Sequence, residues 1–257
     1  MSYESEWQLW HIAREQELSA DYGWLSITAF NWLSTTPAEL PGLPGKWWAA
    51  DELAHVEATG LTLDTFDGES LVGAASASVA EAASLSWLYY GDKLVELVLR
   101  GGRYAIRQRD PQAATRLGFN GVPAYPVNPR WQVTGHFTPF SEPERVEIAT
   151  ARPDLRQHVT AVGTVHVALG ESAYELVATA AGGERLSLSF HDETNGLETA
   201  PWRTVTTGVV QADRSVALDF NRTINLPYAF TEYGTCPAPV AGNRLALPVT
   251  AGEKVPR

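Results

Sequence analysis

The sequence predicts a mainly β protein, an antiparallel β-barrel or sandwich preceded by one α-helix. Three observations carry this. Short runs of alternating apolar and polar residues recur from residue 84 onward, and period-two alternation marks strands with one face buried. Gly91-Asp92 and Gly101-Gly102 separate consecutive runs and supply the positive φ angles of tight hairpins. Nine Trp, nine Tyr and eight Phe stand against a single Met, a bias toward pleated surfaces on which flat rings pack well. No composition break divides the 257 residues, so a single domain over 1–257 is expected.

The elements follow in order. Ser5-Glu6-Trp7-Gln8 reads as a capping box. It predicts a helix over 5–18 with Trp7, Trp10 and Arg14 on one side. Asp21-Tyr22-Gly23 turns the chain into a strand over 24–30, and the Pro/Gly-rich stretch 34–46 is a loop. The Ala, Ser and Gly of 73–84 fit helix, strand and loose connection alike. Ser84–Tyr90, Lys93–Arg100 and Arg103–Arg109 form an antiparallel meander, the start of a β core over 85–220. Arg100, Arg103, Arg107 and Arg109 are read as lying on different faces of its hairpin, at a solvated edge. After a Pro/Gly connection over 110–129, strands are expected at 131–137, 145–150, 159–169, 174–180, 185–190, 204–210, 215–220 and 245–249.

Composition narrows the function. A net charge of −11 opposes nucleic acid, whose phosphates need Lys and Arg, and opposes an anionic membrane surface. The lone Cys236 excludes an internal disulfide and multi-cysteine metal sites. The acidic N-terminal stretch does not read as a signal peptide. No run approaches the ~20 apolar residues of a spanning helix. A cytoplasmic location is therefore expected, with the oligomeric state open. Histidine spacing matches no zinc motif and no Gly-rich segment opens a helix, so neither metal nor cofactor is expected.

The polar signature lies near the C-terminus. Leu186, Leu188 and Phe190 lead in register to Asp192; Val209 and Val205, read backward, lead to Arg203. Leu218 and Phe220 lead to Arg222, and Leu245, Leu247, Val249 and Ala251 lead to Glu253. Alternation points each charge the same way as its hydrophobes. Four inward charges must form an ion-pair network or line a polar site. Asp219 and Asn221, out of phase, are expected to brace the following loop. That loop, 225–243, carries Tyr228, Phe230 and Tyr233 and reads as a lid or plug. Asn221, Asn225, Asn243 and Arg244 are expected to hold it against the sheet. Cys236 has no sequence-near His to activate it and reads as an inert packing group.

Residues 190–254 resemble the domain-of-unknown-function family numbered 1684. The likeness is carried by Phe190-His191-Asp192-Glu193-Thr194-Asn195-Gly196 with Thr199 and Arg203, then by Asp219-Phe220-Asn221-Arg222 with Asn225 and Pro227. Cys236-Pro237, Asn243-Arg244-Leu245 and Ala251-Gly252-Glu253-Lys254 complete it. Gly23-Trp24-Leu25-Ser26 and the stretch from Arg109 to Gly121 look similar as well. The chain departs from the family pattern at four positions. Ala200 stands in place of a tyrosine, Trp202 of a glycine, Ile224 of a tyrosine and Tyr228 of a cysteine. The family carries no assigned activity, so the resemblance implies a fold unit and a site location only.

Together these features predict a small organic ligand, anionic or not, in a polar pocket at one end of the β structure. Its expected lining is Arg203, Arg222, Asn225, Tyr233, Asn243 and Arg244. Two rivals stand beside this. One is a metal-independent enzyme using Asp192 or Glu253 as base with Arg203 or Arg222 stabilising negative charge. The other is a purely structural charge network.

Overall fold

The computed structural model describes residues 2–58 and 63–256. The chain divides into two compact units: residues 13–120, and residues up to Ile12 together with those from Gly121 onward. Helix α1 spans Tyr3–Leu18. It starts two residues before the expected box because Ser2, not Ser5, offers the capping hydroxyl, with Ser2 Oγ 3.3 Å from the Ser5 amide that donates to it.

The unit formed by residues 13–120 opens with a 3-10 turn at Trp24–Ser26, where a strand is expected. Its strands are β1 (Ile27–Trp32), β2 (Lys46–Ala50), β3 (Leu53–Ala58), β4 (Asp64–Thr65) and β5 (Gly73–Ala77). The meander β6 (Ser84–Tyr90), β7 (Lys93–Arg100) and β8 (Arg103–Arg109) has the expected bounds, and a short helix α2 (Ala114–Leu117) follows. One antiparallel sheet runs β1-β8-β7-β6-β4 and the other β2-β3-β5. Trp47 and Val56 of the smaller sheet share a core with Leu88, Val95, Leu97 and Ile106 of the larger. Trp47 meets Trp87 edge-on at 5.7 Å between them. This is a two-layer sandwich. The β2–β3 hairpin escapes sequence reading because its turn, Asp51-Glu52, adopts positive φ (51° and 60°) without glycine.

The arginines of the meander correct their expected placement. Arg100 pairs with Arg103 and Glu96 with Arg107 across β7 and β8. Arg103, Arg107 and Arg109 alternate along β8, so all four arginines share the sheet face opposite Leu97 and Ile106. Arg100, Arg107 and Arg109 are buried rather than solvated.

In the other unit, β9 (Gln132–Ala149) is one long strand where two shorter ones are expected. It is followed by β10 (Arg156–Leu169), β11 (Ser172–Ala180), β12 (Arg185–Phe190), β13 (Arg203–Val209), β14 (Ser215–Asp219) and β15 (Ile224–Asn225). They form one antiparallel sheet, ordered β14-β9-β10-β11-β12-β13-β15. The sheet curls until its ends approach: a Cβ added at Gly208 would lie 3.3 Å from that of Ala217. No ladder joins β13 to β14 among the described residues, so the sheet is not a closed barrel. Its concave face buries Leu186, Leu188, Phe190, Val205, Leu218 and Phe220. Residues 245–249 form no regular strand: the Leu245 amide donates to the His191 carbonyl and the Leu247 carbonyl accepts from the Glu193 amide, but Pro248 has no N–H to extend the pairing. Leu245, Val249 and Ala251 still pack into this core. No helix among the described residues is long and apolar enough to cross a membrane.

Candidate functional site

Arg203 opens β13, and the hydrophobic register of the sheet brings its guanidinium to the end of the core beside Phe190. No part of the residue is exposed. Its Nη2 donates to Asp192 Oδ2 at 2.8 Å and to the Val249 carbonyl at 2.9 Å. Its Nη1 donates to the carbonyls of Ala251 and Glu253 at 2.7 and 3.0 Å. Asp192 Oδ1 accepts from the Thr194 amide at 2.7 Å and from its hydroxyl at 2.5 Å. The Glu253 carboxylate accepts from the Asn225 amide at 2.6 Å, and Asn225 Nδ2 donates to the Lys254 carbonyl at 2.7 Å. Asp192, Arg203, Glu253 and Asn225 thus close into a clasp that fastens the C-terminal segment across the core. Buried charges persist only when hydrogen-bonded in this way.

Gly252 makes the clasp possible. Its φ is +73°, and an added Cβ would sit 2.4 Å from the Thr223 carbonyl oxygen. Only glycine takes both the left-handed conformation and the close approach.

Arg222 lies elsewhere. The β14 strand stops at Asp219, and Phe220–Arg222 is a 3-10 turn that breaks the alternation. Its side chain is 36% exposed, and its Nε lies 3.4 Å from Asp219 Oδ2. The guanidinium lies 5.6 Å from the Trp10 ring. The expected convergence of two arginines therefore fails, because the strand ends three residues short of Arg222. Asp219 instead caps that turn and accepts from the Tyr3 hydroxyl at 2.5 Å. Asn221 exchanges bonds with the Asn128 backbone rather than bracing 225–243.

The remaining expected residues disperse. Asn243 is buried and bonds to Val177 and to the Ser189 carbonyl, anchoring one end of the 225–243 segment. Arg244 is exposed, 3.6 Å from Glu193, and Tyr233 is half-buried. The segment packs on the outer side of the sheet. There Leu226, Pro237 and Val240 roof a pocket of about 140 Å³ floored by Ser187, Ser189 and Thr204. Cys236 is buried. Two of the four departures from the family pattern compensate each other: Trp202 and Tyr228 stack at 4.0 Å. The Tyr228 hydroxyl accepts from the Trp202 amide at 2.8 Å and donates to its carbonyl at 2.7 Å. Burial pushes the Tyr228 hydroxyl far above its ordinary pKa.

A larger pocket opens at the rim of the same core, unmarked by any charge pattern in the sequence. Its volume is about 320 Å³, and Arg130, Trp131, Val133, Leu169, Leu247 and Pro248 line it. The Asn128 side chain accepts from the Arg130 amide and fixes a 3-10 turn at Pro129–Trp131. That turn delivers Trp131 to the core, 6.1 Å from the Phe220 ring. Trp131 is 5% exposed, and its indole N–H is buried with no acceptor among the described residues. The Arg130 guanidinium lies 5.3 Å from the Trp131 ring, bonding Thr250 through one nitrogen. The one available sequence signal is Asn-Pro before an aromatic, a turn initiator at a strand start.

Fold and clasp together define an antiparallel β protein whose C-terminal motifs lock its core. The family model described as Protein of unknown function (DUF1684) matches residues 117–254, and the chain belongs to that family. The solution NMR structure of an uncharacterised protein from Haloarcula marismortui is similar at 26% identity, covering 54% of this chain and 78% of that one, with a TM-score of 0.45. No curated protein matches.

Proposed function

We propose that this protein binds a small organic molecule in the pocket beside Trp131. The ligand's apolar body packs on Val133, Leu169 and Leu247, and an oxygen acceptor, anionic in the tightest binders, answers Trp131 and Arg130. The observation that carries this reading is the buried Trp131 indole N–H, without an acceptor among the described residues, on a residue that lines a largely apolar pocket. A buried donor is costly unless some partner meets it. A cavity of this size and lining suits a small ligand. An occupant of this kind fits a cytoplasmic protein that engages neither nucleic acid nor membrane.

The test is titration with 8-anilinonaphthalene-1-sulfonate, an aromatic anion that fluoresces in apolar surroundings. Saturable enhancement is expected, and Leu247→Trp, which fills the pocket, abolishes it. Equal enhancement in that variant refutes the reading. Catalysis by Asp192 has less support, since its buried carboxylate is already committed to Arg203 and Thr194. The structural reading of Arg203, Asp192 and Glu253 is favoured by the number of bonds they exchange.

A further inference from the structure

We infer that the unit formed by residues 13–120 holds a second site, for a small organic monocarboxylate, on the side-on edge of the Arg107 guanidinium. Arg107 is 1% exposed, yet its Nε and Nη2 have no hydrogen-bond partner among the described residues. These two atoms form one fork, the edge on which a guanidinium grips a carboxylate through two parallel bonds. Its neighbour shows the same fork filled. Arg109 donates Nε to Glu96 Oε2 at 3.0 Å and Nη2 to Glu96 Oε1 at 3.3 Å. Arg109 Nη1 is taken by the carbonyls of Tyr22 and Gly23. Arg107 reaches Glu96 with Nη1 alone, at 3.1 Å.

Charge sets the class of ligand. Two guanidinium groups share one buried carboxylate, leaving one positive charge without a counter-ion. Burial pulls the Arg107 pKa down against the pull of Glu96, and Arg109 and Arg100 add to the burial effect. A single negative charge on the fork balances the trio of Arg107, Arg109 and Glu96, whereas a doubly charged phosphate would leave that trio with surplus negative charge beside Glu96. The ligand's body is flat and apolar, because the Trp24 ring lies 5.2 Å from the Arg107 guanidinium and 5.1 Å from that of Arg109. Phe30 adds a second ring at 6.0 Å. Trp24 and Arg109, but not Arg107, line a pocket of about 510 Å³.

Benzoate is the probe, added to the full-length chain in carboxylate-free buffer, with inorganic phosphate as comparison. Saturable benzoate binding by calorimetry is expected, with phosphate weaker. Arg107→Lys keeps the charge and loses the fork, and it weakens benzoate by about tenfold or more. In the unaltered protein the Arg107 Nε–H resonance shifts on benzoate addition, a readout that does not depend on the variant folding. No benzoate binding, an unmoved Nε–H resonance, or equal affinity in Arg107→Lys overturns the site. Phosphate binding tighter than benzoate overturns the monocarboxylate assignment.

Discussion

Arg203 and Arg222 look alike in the sequence, each closing an alternating apolar run, but their surroundings assign them opposite weights. Removing the partner of a fully buried guanidinium strands a charge, so Asp192→Ala is expected to cost about 3–5 kcal/mol in chemical denaturation. Arg222, partly solvated against Asp219, forms an ion pair worth about 0–1 kcal/mol. Arg222→Ala is therefore expected to unfold at nearly the unaltered denaturant midpoint, and a loss comparable with that of Asp192→Ala would contradict the geometry. Trp202 and Tyr228 offer a finer test. Their stacking and reciprocal hydrogen bonds predict a coupling of at least about 0.5–1.5 kcal/mol in a double-mutant cycle with Trp202→Ala and Tyr228→Phe.

At the scale of elements, the first turn of α1 is held by a titrating bond. Burial and the hydrogen bond to Asp219 raise the Tyr3 hydroxyl from its ordinary value to about 12. The unfolded tyrosine titrates near 10. A folded value above the unfolded one gives stability that is complete below pH ~10 and lost as pH rises toward the folded value. Amide exchange in the first turn of α1 is expected to accelerate between those limits, and Tyr3→Phe to remove that pH dependence. The C-terminal segment depends on backbone instead. Gly252→Ala forces a Cβ against the Thr223 carbonyl at positive φ, a strain of about 1–3 kcal/mol, and is expected to lower the denaturation midpoint where Gly242→Ala, with open space around it, costs less.

For the whole molecule, acid sensitivity has a source within residues 13–120. Burial pushes the Glu96 carboxyl up, but Arg107 and Arg109 together outweigh it and hold the value below the ordinary carboxylate range. A depressed folded value gives stability present above the unfolded value of about 4.3, lost as pH falls through the folded one. Acid titration followed by tryptophan fluorescence is expected to expose this loss below that pH, with Glu96→Gln less stable at neutrality and flatter in acid. An unchanged acid profile in Glu96→Gln would show that other carboxylates govern the transition.

Local chemistry alone determined the strand content, the bounds of β6, β7, β8 and β12, the family, and the inward direction of Asp192 and Arg203. Each depends on alternation or on motif order, and both are written along the chain. Tertiary structure decided the rest. The β2–β3 hairpin turns through Asp51-Glu52 with no glycine to announce it. Arg222 swings away because β14 ends at Asp219 and a 3-10 turn over Phe220–Arg222 replaces the alternation. The shared face of the four meander arginines follows from the two-residue Gly101-Gly102 loop, which sets Arg100 opposite Arg103, but only packing decided that Arg100, Arg107 and Arg109 are buried. Both proposed sites rest on polar hydrogens lacking acceptors in buried surroundings, a property of packing between segments distant in sequence, to which no single segment gives a clue.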